Sequence, residues 1–187
     1  MEMKNFNFIY YKTFDVSEIK KNLHLIEESK WNYNGVLRND FGTHKHTLSI
    51  FNTLIPLEWN SSKKYEIEHS DDLPLIIKEN IYNIIIELEI IQNGKVGRSM
   101  LAYLKPKGLI PPHGDTGFYL ESCYRNHIPI KTNYECSFSV GNETINMKEG
   151  ECYQIDNSKL HSVNNLGNEG RVHLIIDIIP NELIHVK

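Results

Sequence analysis

After Asn93-Gly94 the chain changes its period, and that change limits what it can fold into more than any other feature. Before it, apolar residues recur at helical spacing. Beyond it come eight short runs, at 97–104, 109–112, 122–130, 135–140, 144–147, 151–155, 162–164 and 171–179, bounded by Gly, Pro and Asn. So many short strands at close spacing predict a sandwich or jelly roll.

The N-terminal half reads differently. Asp15-Val16-Ser17-Glu18 has the form of a helix start, and Val16, Ile19, Leu23 and Ile26 then follow at helical spacing, so a first helix is expected over 16–29. The 31–42 stretch reads as irregular, 47–54 as a strand, and 58–72 as a polar connection. Ser70-Asp71-Asp72 with Pro74 behind it marks the entry to a second helix over 72–92. Its apolar positions Leu73, Ile77, Ile81, Ile84, Leu88 and Ile91 lie along one stripe, and Asn93-Gly94 stops it. The expected fold is therefore mainly β, an α+β arrangement in which the N-terminal helices pack on one sheet of a barrel-like β core.

At 187 residues and 40% hydrophobic, the chain suits one domain with a buried core. Within it, 1–95 is expected to be a helical and edge-strand N-terminal part and 96–180 the core barrel. A net charge of -4 with the signs interspersed leaves no basic stripe for nucleic acid. Apolar runs such as Ile84-Ile85-Ile86 are too short to cross a bilayer, and Met1-Glu2-Met3-Lys4 is not followed by an apolar signal segment, so no membrane partner and a cytoplasmic location are expected. Cys123, Cys136 and Cys152 lack disulfide or zinc spacing and read as reduced core residues.

The chemistry lies in the second half. His113-Gly114-Asp115 is by itself a weak signal, since nine His and seven Asp in 187 residues give such a pair by chance in about one chain in three. Its surroundings add weight. Pro111-Pro112 stiffens the approach, Gly114 allows a tight turn, and two side chains two residues apart on an extended chain point to one side, as a shared metal requires. His161 follows the turn Asp156-Asn157-Ser158 and supplies a second imidazole. Two His and one carboxylate suit one-sided coordination of a non-haem Fe(II). Arg171 heads Arg171-Val172-His173-Leu174-Ile175-Ile176-Asp177, where Arg171, His173 and Asp177 share one face. That face is either a solvated strand edge or a pocket floor where a guanidinium meets a carboxylate. Arg125 and His127 pose the same alternatives. His44 and His46 read as an exposed loop, without an acid spaced to complete a metal site.

These residues resemble the aspartyl/asparaginyl β-hydroxylase family, which includes relatives that hydroxylate free proline. The resemblance runs over 99–180 and rests on Pro112-His113, Arg125-Asn126-His127-Ile128-Pro129, Glu149-Gly150-Glu151, the run from Asp156-Asn157-Ser158 through His161 to Val163, and Arg171 to Asp177. It implies a double-stranded β-helix with Fe(II), 2-oxoglutarate and O2, and a small amino-acid or peptide substrate. His113, Asp115 and His161 would hold the metal. Arg171 would pair with the far carboxylate of 2-oxoglutarate, with Arg125 and His127 near its other end or the substrate. Tyr103, Tyr119 and Arg125 are candidate substrate contacts. Asp115 departs from the animal protein-modifying members, which lack an acid there, and matches the free-amino-acid hydroxylases. A serine that assists the far carboxylate in the animal members falls at Ala102. The rival expectation is a cupin-like metal-binding protein, an isomerase or ligand-binding module, without oxygenase activity.

Overall fold

A computed structural model describes residues 6–32 and 42–184. Its strands are β1 (Phe8–Thr13), β2 (Thr47–Leu54), β3 (Glu68–His69), β4 (Gly94–Leu104), β5 (Leu109–His113), β6 (Tyr124–Lys131), β7 (Cys136–Val140), β8 (Glu143–Ile145), β9 (Glu151–Ile155), β10 (His161–Asn165) and β11 (Arg171–Pro180). Three α-helices accompany them: α1 (Ser17–Asn22), α2 (Leu75–Ile91) and α3 (Phe118–Ser122). A seven-stranded sheet in the order β1-β9-β6-β11-β4-β2-β3 faces a four-stranded sheet in the order β5-β10-β7-β8. The recorded pairings are all antiparallel. Among the described residues, no helix is long and apolar enough to cross a membrane.

Each run expected beyond Gly94 contains a strand, with one insertion. The segment expected as a strand over 122–130 is preceded by the one-and-a-half-turn α3, and β6 begins only at Tyr124. The expected first helix is shorter than its apolar spacing suggests: α1 ends at Asn22 and passes into a 3₁₀ turn at Leu23–Leu25. Asn22 Nδ2 bonds the Glu18 carbonyl at 2.8 Å, the kind of side-chain competition for backbone that weakens a helix interior. Val16, Ile19 and Ile26 are nonetheless buried with α2, so the spacing reported the packing correctly. The expected irregular stretch 31–42 lies mostly outside the described residues, after a 3₁₀ turn at Glu28–Asn32.

The second helix begins where Pro74, in an extended conformation, supplies the residue before the first turn. It ends at Ile91, with Asn93 in the left-handed region at φ 46°. Gly94 then opens β4 so close to β11 that a Cβ would lie 2.4 Å from the Ile179 carbonyl oxygen. Ile77, Ile81, Ile84, Ile85 and Leu88 of α2 pack on Val172, Leu174, Ile176 and Ile178, one face of β11. The opposite face of β11 carries Arg171, His173, Ile175 and Asp177, and all ten residues of the strand are buried. Burial on both sides removes the solvated-edge alternative. β11 is an inner strand, and its polar face looks into the space between the sheets.

Candidate active site

The site begins as a register effect. β5 and β10 pair so that His113 lies directly opposite His161, which places the two rings 4.2 Å apart between centroids. Each ring is oriented from behind. His113 Nδ1 bonds the Pro111 carbonyl at 2.9 Å, and His161 Nδ1 bonds the Lys159 carbonyl at 3.0 Å. Carbonyls only accept, so the proton of each neutral ring sits on Nδ1 and the lone pair on Nε2, the arrangement a metal-ligating imidazole needs. Burial pulls His161 below the usual histidine range, which keeps it in that neutral form.

Just past β5 the chain turns against the 157–159 loop. The Asp115 amide donates to the Asn157 carbonyl at 2.9 Å, and a Cβ on Gly114 would sit 3.1 Å from the Ser158 carbonyl oxygen. Asp115 Oδ2 accepts from Arg125 Nη1 at 2.5 Å and from Asn157 Nδ2 at 3.2 Å, and among the described residues no such bond is made to Oδ1. Burial raises the carboxyl pKa, but Arg125, then His161, the Asn157 bond and His113 outweigh it, and Asp115 is held below the usual carboxylate range. One ligand atom from each of His113, Asp115 and His161 lies within 4.8 Å of the others. The donor set, its protonation and its spacing fit an Fe(II)-type ion.

Arg171 lines the same cavity. It is only 5% exposed, its Nη2 donates to His173 Nδ1 at 2.6 Å, and its guanidinium carbon lies 5.7 Å from the centre of the Phe138 ring. Among the described residues no carboxylate pairs with it. Burial pushes it down to about 9, which still leaves it charged at neutral pH. A buried cation with no acidic partner among the described residues, lining the same cavity as His113, Asp115 and His161, can receive an anionic group.

The other expected residues separate. Arg125 lines the cavity, but its Nε and Nη2 take the two oxygens of Asp177 at 2.8 Å each while Nη1 holds Asp115. Its place is behind the triad, positioning the carboxylate. His127 lines the cavity with its ring 5.8 Å from that of His173. Tyr103 borders it, but its ring packs on the other face of the sheet, 6.0 Å from that of Trp31 and against the Val172 cluster, under Gly170, where a Cβ would clash with it at 2.1 Å. Tyr119 does not line it. Only 1% exposed, it donates from its hydroxyl to Asp177 Oδ2 at 3.1 Å and packs with Trp59 and Cys123.

Three participants carry no role in the sequence reading. Asp177 and His173 were visible through the strand period, which sets them on the face of Arg171. Asn157 had only its place in a turn, and nothing in sequence marks its amide as an anchor for Asp115. His44, expected in an exposed loop, is half-buried with its ring 5.3 Å from that of His113 at 88° and lines the cavity. Its neighbour His46 pins that loop by accepting from the Leu109 amide at 3.1 Å.

Comparison with known proteins agrees with this geometry. The family profile described as Aspartyl/Asparaginyl beta-hydroxylase matches residues 77–180. No curated protein matches the chain. Among solved structures, the fold is similar to an oxidoreductase of the 2OG-Fe(II) oxygenase family from Burkholderia pseudomallei, with TM-score 0.54 and 10% identity over 90% of this chain and 93% of that one. It is also similar to the viral collagen prolyl hydroxylase of Paramecium Bursaria Chlorella virus-1, solved as a 2OG complex, with TM-score 0.55 and 10% identity over 93% and 96% of the two chains. The two-sheet architecture is thus the double-stranded β-helix, with α1 and α2 on the outer face of the larger sheet.

Proposed function

Since the chain belongs to the aspartyl/asparaginyl β-hydroxylase family and is an oxygenase, we propose that it uses Fe(II) and 2-oxoglutarate to hydroxylate an unactivated C–H of an amino acid, free or in a peptide, with an Asp-, Asn- or Pro-like side chain. One observation carries the cofactor assignment: the His113, Asp115 and His161 donors and the acid-free cation Arg171 share one cavity. A cupin-like binding protein has no use for a buried guanidinium facing its metal, so Arg171 favours the oxygenase over that rival.

In this reading His113 Nε2, His161 Nε2 and an Asp115 oxygen would hold the iron. The bound iron and 2-oxo acid together supply O2 activation, with the cosubstrate decarboxylated to succinate as the substrate is hydroxylated. The chain supplies placement, charge and dryness. Arg125 and Asn157 fix Asp115 through Oδ2, so that Oδ1 remains for the metal. Asp177 balances Arg125. That leaves Asp115 and Arg171 as the charges facing Fe(II) and a dianionic cosubstrate, and the four together sum to zero. Leu104, Ile110, Phe138 and Val163 keep water from the wall between them.

The test is anaerobic titration of Fe(II)-loaded protein with 2-oxoglutarate, read by the weak visible charge-transfer band of the chelate. The band should appear in the native protein and vanish in His113→Ala; its absence from the native protein, or its survival in His113→Ala, removes the oxygenase assignment. Arg171→Ala should raise the 2-oxoglutarate requirement about tenfold to a hundredfold, the effect of losing about 1.4–3 kcal/mol from a desolvated charged hydrogen bond. Succinate release, screened over the standard amino acids and short peptides, identifies the substrate.

A further inference from the structure

The contact between Arg171 and His173 has only one polarity. A guanidinium has no acceptor, so in the 2.6 Å contact Arg171 Nη2 donates and His173 Nδ1 accepts. The single proton of the neutral ring is thereby placed on Nε2. Burial first, then the Arg171 charge and His127, drives His173 well below the usual histidine range, which keeps it in this neutral form. Arg171 therefore sets the tautomer of His173, and the ring presents an N–H that no described residue accepts.

That N–H belongs to a cavity-lining residue. Across the sheet, His173 pairs with Ala102 on β4 and with Pro129 on β6. Neither side chain carries a donor. At this level of the sheet the polar surface beside Arg171 is His173, with His127 one step further along β6. A carboxylate approaching Arg171 has two oxygens to satisfy, and Nη2 of Arg171 is already directed at His173.

We propose that His173 is a cosubstrate-binding residue whose Nε2–H donates to the far carboxylate of a dicarboxylic 2-oxo acid, alongside Arg171. Arg171 supplies the charge and His173 the direction. The proposal rests on the oxygenase reading above.

The test compares 2-oxoglutarate with pyruvate, a 2-oxo acid that lacks the far carboxylate, in anaerobic titrations of Fe(II)-loaded protein followed by the chelate band. His173→Phe should weaken 2-oxoglutarate about tenfold, the loss of one hydrogen bond to a charged group. Pyruvate and Fe(II) affinities should stay within about twofold on the same scale. His173→Gln, which keeps an acceptor for Arg171 and an N–H for the ligand, should stay within about threefold of the native affinity for 2-oxoglutarate. Equal 2-oxoglutarate affinity in the native protein and the Phe variant overturns the proposal, as does equal weakening of both acids or a Gln variant as weak as Phe. A native protein that shows no band with either acid overturns the oxygenase reading and this one together; an intact band with the wrong pattern overturns this one alone.

Discussion

Arg125 bridges two buried acids, Asp115 and Asp177, and the second of these is 0% exposed. Removing its charge while keeping its bulk, as in Arg125→Met, leaves Asp177 with the Tyr119 hydroxyl and Asp115 with Asn157. Breaking one side of a buried ion pair costs about 3–5 kcal/mol, and urea denaturation of the metal-free variant should show a loss of that size. A second residue-scale expectation concerns pH. His173 is neutral in the fold, whereas in the unfolded chain it titrates near the ordinary value of 6.5. Below pH 6.5 the unfolded chain binds a proton that the folded chain does not, so the stability is complete above that value and is lost as pH falls. His161, also pulled down by burial, acts in the same direction. Denaturation of metal-free protein between pH 7 and 5 should show stability falling by about 1.4 kcal/mol per pH unit for each fully neutral histidine, and His173→Phe should remove one of these contributions.

At the scale of elements, the 149–151 turn that leads into β9 makes a very close approach to the chain just past its neighbour β1. Gly150 sits at φ +80°, and a Cβ there would lie 2.2 Å from the Phe14 carbonyl oxygen, which accepts no side chain at that distance. The Phe14 amide also donates to the Gly150 carbonyl at 2.9 Å. Gly150→Ala should therefore destabilise the protein by at least about 1–3 kcal/mol, read as a lowered thermal midpoint, because both the backbone conformation and the contact resist a side chain. How well the elements could be read depended on how many faces they bury. α2, which buries one face, follows its apolar stripe to within a few residues, whereas β2 keeps its expected bounds through its β-forming residues although both of its faces are buried. α3 is five residues long with Tyr119 buried and Phe118 exposed, too short to establish a helical period against the strand that follows. β1 has no sequence expectation at all. Its edge position and half-buried pattern blur the alternation, and only its pairing with β9 defines it.

For the whole molecule, the seven-stranded sheet draws on both halves of the chain: β1, β2 and β3 come from the N-terminal part and the four others from beyond Gly94. The trio His113, Asp115 and His161 was legible as residue types, but its convergence depends on the register of β5 against β10, which no local pattern encodes. A ligand that binds only the assembled triad stabilises the fold by mass action. Anaerobic Fe(II) at about a hundred times its dissociation constant should add about 2.7 kcal/mol, a rise of roughly 5–10 °C in the thermal midpoint, and Asp115→Ala should lose most of that rise. The position of β11 carries a consequence in time as well as in space. It is the last described strand, yet it lies between β6 and β4 near the middle of the larger sheet. During synthesis those two neighbours emerge first and present unpaired edges until residues 171–180 have left the ribosome. The strand that brings Arg171 is also the one that closes the sheet, so no nascent chain has Arg171 in place in the cavity before the sheet is complete.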